Sequence, residues 1–228
     1  GALAVFALAC MAKPSVATLP VILLAGDLWI DGRRGRALLG LIPFVVVALV
    51  FMVLAVAVQP AWQTGAGAGL GILDRSRVAA DAALFYLGKI LWPAGLSPVY
   101  GREVGEVLAS NWATAKLLAA VALFAGVALV GRAGRLGAVI FLAALAPVSG
   151  IVPFEYQSLS TVADRYAGLP MAGAAAILAV ALSRVVRDDP SRMKASGHAA
   201  VAAMGLWIVL LAAVTWFATE TWRDSISL

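Results

Sequence analysis

Residues Ala37 to Gln59 carry no charged side chain. Wound as a helix, such a run crosses a bilayer core of ~30 Å, which needs about 20 apolar residues. Four further stretches approach that length: Trp112 to Val130, Leu136 to Val152, Tyr166 to Leu182 and Ala199 to Phe217. A water-facing fold must cover its core with polar surface, and this chain has little to spare. Of its 228 residues 63% are hydrophobic and 13% charged, with a mean hydropathy of +0.97. Soluble domains run at roughly 45–50% and about 25%. The same figures exclude a disordered chain. Cys10 is the only cysteine, which excludes a disulfide scaffold, and one histidine beside it cannot build a zinc cluster. The expected fold is all-α, a polytopic transmembrane helix bundle.

The first 31 residues are less simple. Gly1 to Ala12 is apolar but short, Lys13-Pro14 interrupts it, and Ser15 to Ile30 resumes with Pro20 inside. Proline lacks an N–H and disfavours αR in the residue before it, so a break is expected at Lys13. This gives about six to seven spans in all, the first cut short. The net charge of +5 does not indicate a nucleic-acid partner, because the basic residues sit in short clusters between apolar runs, as cytoplasmic loops do. Those clusters are Arg33, Arg34 and Arg36; then Arg132 and Arg135; then Arg184, Arg187, Arg192 and Lys194. An even number of crossings must separate each pair. The segment Ala80 to Pro93, with Asp81 and Lys89 in it, therefore does not span and is expected as an interfacial or re-entrant helix. Outward loops then cover Pro60 to Ser110 and Pro153 to Asp164, with Lys13-Pro14 on the same side and the C-terminus extracytoplasmic. The glycine-alanine run Gly65 to Gly71 reads as a connector, since no strand precedes it.

Charged groups near membrane depth are functional candidates by default. Lys13 either snorkels to an interface or contacts a phosphate. The densest polar stretch runs through Glu155, Tyr156, Gln157 and Ser158 to Asp164, Arg165 and Tyr166. Asp164 is placed to cap the following helix, and Arg165 either pairs with it or offers a planar guanidinium to a phosphate. A second set, Tyr86, Lys89, Trp92, Tyr100, Arg102 and Glu103, has the mix of an interfacial anchor. Asp27 and Asp31 are expected to pair with Arg33 or Arg34, and His198 to lie at headgroup level. No serine triad, Walker loop or HExxH site occurs.

Several strings go further in combination. Ala12 to Pro20 (AKPSVATLP), Phe85 to Pro93 (FYLGKILWP) and Leu96 to Arg102 (LSPVYGR) are followed in order by Val152 to Gln157 (VPFEYQ) and Ser160 to Tyr166 (STVADRY). Together they resemble the membrane region of multi-pass proteins with C-terminal TPR repeats. These include bacterial relatives of the transmembrane-and-TPR O-mannosyltransferases, in the GT-C glycosyltransferase superfamily. The tail Thr221 to Ser225 resembles the junction into such an array. The resemblance implies transfer of a sugar from a polyprenyl-phosphate donor to an extracytoplasmic acceptor, a protein recruited by the TPR array, in a multi-pass inner-membrane enzyme. It leaves room for a divalent metal but assigns none here, nor any other cofactor; membrane lipids and the lipid-linked sugar are the implied partners, and nucleic acid is not one.

On that resemblance residues 1–228 form a single transmembrane fragment of a longer polypeptide. The catalytic first outer loop is expected before Gly1 and the repeats after Leu228, so no catalytic carboxylate is placed. Lys13, Arg165, Lys89 and Arg102 would neutralise the carrier phosphate. Tyr100, Glu155, Tyr156, Gln157, Asp164 and Tyr166 would shape the pocket. Two other readings compete. The spans could be a non-enzymatic anchor for a periplasmic TPR array, or a secondary transporter, which would need two related halves.

Overall fold

The computed structural model describes residues 1–31, 35–58, 69–97, 99–152, 154–186 and 195–221. Among them every regular element is helical and no strand occurs. The helices are α1 Ala2–Ala12, α2 Leu19–Gly26, α3 Gly35–Val58, α4 Ile72–Leu91, α5 Val104–Ala109, α6 Ala113–Leu129, α7 Arg132–Leu145, α8 Gly168–Val186 and α9 Ala195–Thr221. Arg33, Arg34, Arg187, Arg192, Lys194, most of the glycine-alanine connector and the tail beyond Thr221 lie outside the described residues. So do the side chains of Asp31, Arg36, Glu155 and Arg184.

The helix boundaries follow local chemistry. Lys13 is extended (φ −149°, ψ 103°) and ends α1, its N–H bonded to the Ala9 carbonyl. Pro14 then opens a 3-10 turn, Pro14–Thr18, and Pro20 sits in the first turn of α2, where a missing N–H costs nothing. Gly131 at φ +123° separates α6 from α7, and Pro147 tightens the end of α7 into the 3-10 turn Ala146–Val148. These interruptions keep the apolar segments short. Among the described residues one stretch, Gly197–Phe217 in α9, is long and apolar enough to cross a membrane; Ala2–Ala12, Ser15–Trp29, Leu39–Ala55, Ala113–Leu129 and Gly168–Ala181 are shorter. The expected six to seven spans thus reduce, at full bilayer length, to one. The apolar part of α6 reaches ~26 Å at 1.5 Å per residue, near the lower limit for a crossing.

α7 and α8 pack antiparallel and form the centre of the bundle. Two glycines allow the approach. A Cβ on Gly173 would stand 2.5 Å from the Phe141 backbone nitrogen and 2.6 Å from the Gly137 oxygen, and one on Gly137 would meet Ile177 at 2.7 Å. Phe141, Leu145, Tyr86, Ala82, Ala174 and Val162 fill the core beside this crossing. α4 joins it as a helix twenty residues long, more than the expected interfacial segment, packed on α6 and burying Val78, Asp81, Ala82 and Tyr86. At the start of α7, Arg135 lies 6.0 Å from the Trp29 ring in the π-helical turn Asp27–Asp31 that follows α2. At the opposite end the Pro14–Thr18 turn packs beside Ala146–Val148. Lys13 and the start of α8 therefore share one end of the bundle, the loop end below.

Much of the outer surface is apolar. Leu129 is 87% exposed, Trp216 74%, Leu206 70% and Leu39 69%, and the most apolar stretch of α9 buries none of its residues inside the fold. The indole N–H of Trp207 bonds the Leu91 carbonyl at 3.0 Å, tying α9 to the C-terminal end of α4. His198 is exposed near the start of α9.

Candidate functional site

Two segments distant in sequence are joined at the loop end, 92–103 after α4 and 149–167 between α7 and α8. Gly150, at φ +92°, turns the second segment in close quarters, for a Cβ there would lie 2.6 Å from the Gln157 amide nitrogen. The Thr161 N–H donates to the Arg102 carbonyl at 2.8 Å. The Arg102 N–H reaches the Ser160 hydroxyl oxygen at 3.4 Å. Tyr86, fully buried in α4, braces the join from below. Its hydroxyl donates to the Ala163 carbonyl at 3.0 Å and accepts the Ala163 N–H at 2.8 Å. It is an internal strut rather than the interfacial anchor that its aromatic-basic neighbourhood suggests.

Asp164 corrects a local reading. The residue in the cap position of the 3-10 turn Asp164–Tyr166 is Ala163, with no side-chain cap bond. The Asp164 carboxylate turns across the site instead, accepting the Tyr100 hydroxyl at 2.7 Å and the Ser97 N–H at 2.7 Å. Two donors supplied by the facing loop outcompete a cap on its own short turn. The Tyr100 phenol is pushed above its usual range, first by burial and then by this carboxylate. Tyr156 is also raised by burial, with Arg165 pulling the other way.

Of the four expected phosphate-binding cations, two are engaged internally. Arg102 pairs through Nη2 with Asp81 at 2.5 Å, and its guanidinium lies 5.2 Å from the Phe85 ring centre. Lys89 donates to the carbonyls of Ala94 and Gly95, closing the turn after α4, with its ammonium 5.0 Å from the Tyr100 ring centre. Lys116, one helix away, completes the Asp81 site at 2.6 Å. Asp81 is nearly fully buried, and a carboxylate in that position requires such partners.

The other two cations are open. Arg165 stacks over Tyr156 at 3.9 Å and lies 5.0 Å from the Tyr166 ring, donating to the Tyr166 hydroxyl at 3.1 Å. It forms no ion pair with Asp164 or with any other described residue. Phe154 and Tyr156 meet the Tyr166 ring edge-on at 6.0 and 5.9 Å, forming an aromatic bed. Lys13 is exposed at the same end, and its ammonium makes no polar contact among the described residues. Gln157 is buried, 2% exposed, with its carbonyl oxygen unpartnered, so it supports the site from within rather than lining it. Glu155 begins the turn Glu155–Ser158.

The arrangement can bind anions: exposed guanidinium and ammonium groups sit above a base whose two carboxylates, Asp81 and Asp164, are both occupied as acceptors. Among the described residues no three His, Cys, Asp or Glu side chains converge in a way that could hold a metal ion. Sequence reasoning missed Lys116, Ser97 and the pairing of Asp81. A usable signal existed, since Lys116 is the one charge in the apolar helix α6 and demands a partner. Comparison of the chain with protein-family models, curated proteins and solved structures finds no match.

Proposed function

We propose that this chain is the C-terminal part of the membrane domain of a glycosyltransferase, which moves a sugar from a polyprenyl-phosphate donor to an extracytoplasmic acceptor, a protein. In this reading the bundle sits in the inner membrane with its loop end outward, the shorter helices tilting little and α9 crossing in full. The exposed apolar side chains of α3, α6 and α9 support immersion, because a soluble monomer rarely leaves contiguous apolar patches of that extent. The observation that carries the reading is Arg165. It is exposed, held flat on Tyr156, and keeps its charge free of any described carboxylate, as a site for a leaving phosphate requires. Lys13 adds a second cation at that end. Lys89 shapes the floor instead of touching the phosphate, and Tyr156 and Tyr166 flank it.

The test uses the full-length protein purified in mild detergent, with co-purifying lipids extracted and identified by mass spectrometry. Polyprenyl-phosphate species should accompany the wild type and fall about tenfold or more in Arg165→Ala, the scale for losing one charge-assisted contact. Equal retention would favour a non-catalytic membrane anchor for periplasmic repeats. That second reading has its own support: Lys89, Asp81 and Asp164 are all satisfied within the fold, as in a purely structural loop cluster.

A further inference from the structure

We infer that Asp81, Arg102 and Lys116 form a docking site for the phosphodiester of a membrane amphiphile. The inference rests on the reading of the chain as membrane-embedded, but not on Arg165. Asp81 Oδ2 meets Arg102 at 2.5 Å and Oδ1 meets Lys116 at 2.6 Å, so one carboxylate faces two cations and a unit of positive charge remains. Burial gives that charge a direction. The Asp81 side chain is 3% exposed, while Arg102 and Lys116 are 34% and 39% exposed. The anion is behind and the cations are in front.

Their donors are also in surplus. An ammonium carries three N–H groups and a guanidinium five, and Asp81 takes one from each. The Arg102 Nε–H is buried and has no partner, and neither has the hydroxyl of Thr161, which is 1% exposed. Thr161 is zipped by its N–H to the Arg102 carbonyl at 2.8 Å, so the two unpartnered groups belong to adjoining residues. Buried donors without acceptors are rare in folded proteins and mark a missing partner.

The surroundings name the kind of anion. Trp112 lies one helical turn before Lys116, on the same face of α6, and is 70% exposed. Leu123, two helical turns beyond Lys116 on that same face, is 44% exposed. An indole beside an ammonium at the head of an apolar helix is the composition of a headgroup level. Phe85 walls the guanidinium on the inner side, with its ring centre 5.2 Å away. A single negative charge carrying apolar chains matches both the leftover charge and this setting; a free inorganic phosphate would leave the apolar rim unused. Asp81 holds the two cations beside each other and offsets one of their two charges.

Two sources could supply the phosphodiester, bulk phospholipid or a lipid-linked sugar, and one titration separates them. The full chain, in a neutral maltoside detergent, is titrated calorimetrically with dihexanoylphosphatidylglycerol and, separately, with a short-chain isoprenyl phosphomannose. Dihexanoylglycerol serves as the uncharged control. The wild type should bind at least one phosphodiester and not the control, and the tighter of the two identifies the source. Lys116→Gln should weaken binding about tenfold or more. Asp81→Asn removes the carboxylate that competes for the two cations while its amide oxygen still accepts a hydrogen bond, so binding should tighten severalfold, whereas a merely structural triad predicts loss. Circular dichroism and melting establish that each variant is folded; should Asp81→Asn fail to fold, Lys116→Gln, on an exposed helix face, decides alone. Failure of the wild type to bind either phosphodiester, equal affinity in Lys116→Gln, or lost affinity in folded Asp81→Asn would overturn the inference. Each of these outcomes leaves the lipid-retention test on Arg165→Ala standing, so the two readings fail separately.

Discussion

Removing the Tyr86 hydroxyl strips both backbone hydrogen bonds from a single buried residue. In Tyr86→Phe the ring stays in place against Phe85, 5.7 Å away and edge-on, so packing is conserved. What is lost is the bond to the Ala163 carbonyl at 3.0 Å and the bond from the Ala163 N–H at 2.8 Å. Tyr86 and Ala163 are both 0% exposed, so water cannot replace the hydroxyl without opening the join between the two loops. A floor comes from side-chain bonds measured inside membrane proteins, about 0.6 kcal/mol each, which gives about 1 kcal/mol for two. A ceiling comes from leaving a buried donor and a buried acceptor unsatisfied, about 1–3 kcal/mol apiece. Since both orphaned groups are fully enclosed, the expected loss is about 2–4 kcal/mol. Unfolding of the purified protein by SDS titration in mixed micelles, followed by circular dichroism, measures it. A loss below about 1 kcal/mol would refute the reasoning, because the hydroxyl would then be dispensable to the loop join.

Three further outcomes follow from the same geometry. Asp81→Asn leaves Arg102 and Lys116 without their counter-ion; breaking a fully buried pair costs about 3–5 kcal/mol, but these cations are 34% and 39% exposed, so the same titration should show about 1–3 kcal/mol. Gly173→Ala drives a methyl to within 2.5 Å of the Phe141 backbone and should destabilise by about 1–3 kcal/mol or more, whereas Gly126→Ala, with nothing within 4 Å, should stay within about 0.5 kcal/mol. Alkali should expose Tyr100: its pKa is raised in the fold from an ordinary 10.0, so its contribution is constant below pH ~10 and declines as pH rises above that value, by up to about 1.4 kcal/mol per unit. Melting curves at successive alkaline pH values should decline less steeply in Tyr100→Phe than in the wild type.

Helix ends were legible in the sequence where one residue decides them. Pro14 forces Lys13 out of the helix whatever surrounds it, and the apolar runs mark the interiors of α3, α6 and α8 to within a few residues. The loop end was not legible in this way, because its bonds join residues far apart. Arg102 to Thr161 and Tyr86 to Ala163 depend on how α4 lies against the α7–α8 turn, which no local period encodes. Asp164 shows the consequence: it stands where a cap belongs, and only the fold brings Ser97 and Tyr100 close enough to claim both of its oxygens. Lys89 likewise reads as an anchor, although the carbonyls that it binds, at Ala94 and Gly95, are only a few residues on. Of the expected spans one has full crossing length among the described residues, and the breaks at Lys13 and Pro147 keep neighbouring apolar helices short.

The two arginines of the loop end differ in which part of the guanidinium the fold consumes. Arg102 gives an edge to Asp81, which it shares with Lys116, and a face to Phe85, so one of its donors and part of its charge are committed. Arg165 lies over the Tyr156 ring, 3.9 Å from its centre, and gives one N–H to the Tyr166 hydroxyl. Aromatic contact is made above and below the plane, whereas carboxylates and phosphates are bound in the plane by the N–H fork. Stacking therefore fixes the orientation of Arg165 while leaving most of its fork open, which a salt bridge would not. A guanidinium that served only to hold the loop would be expected to take the nearest carboxylate. Asp164 is the adjacent residue, and its oxygens are turned away to Ser97 and Tyr100. The facing loop thus withholds Asp164 from Arg165, and that separation of charge gives the loop end the means to hold an incoming anion.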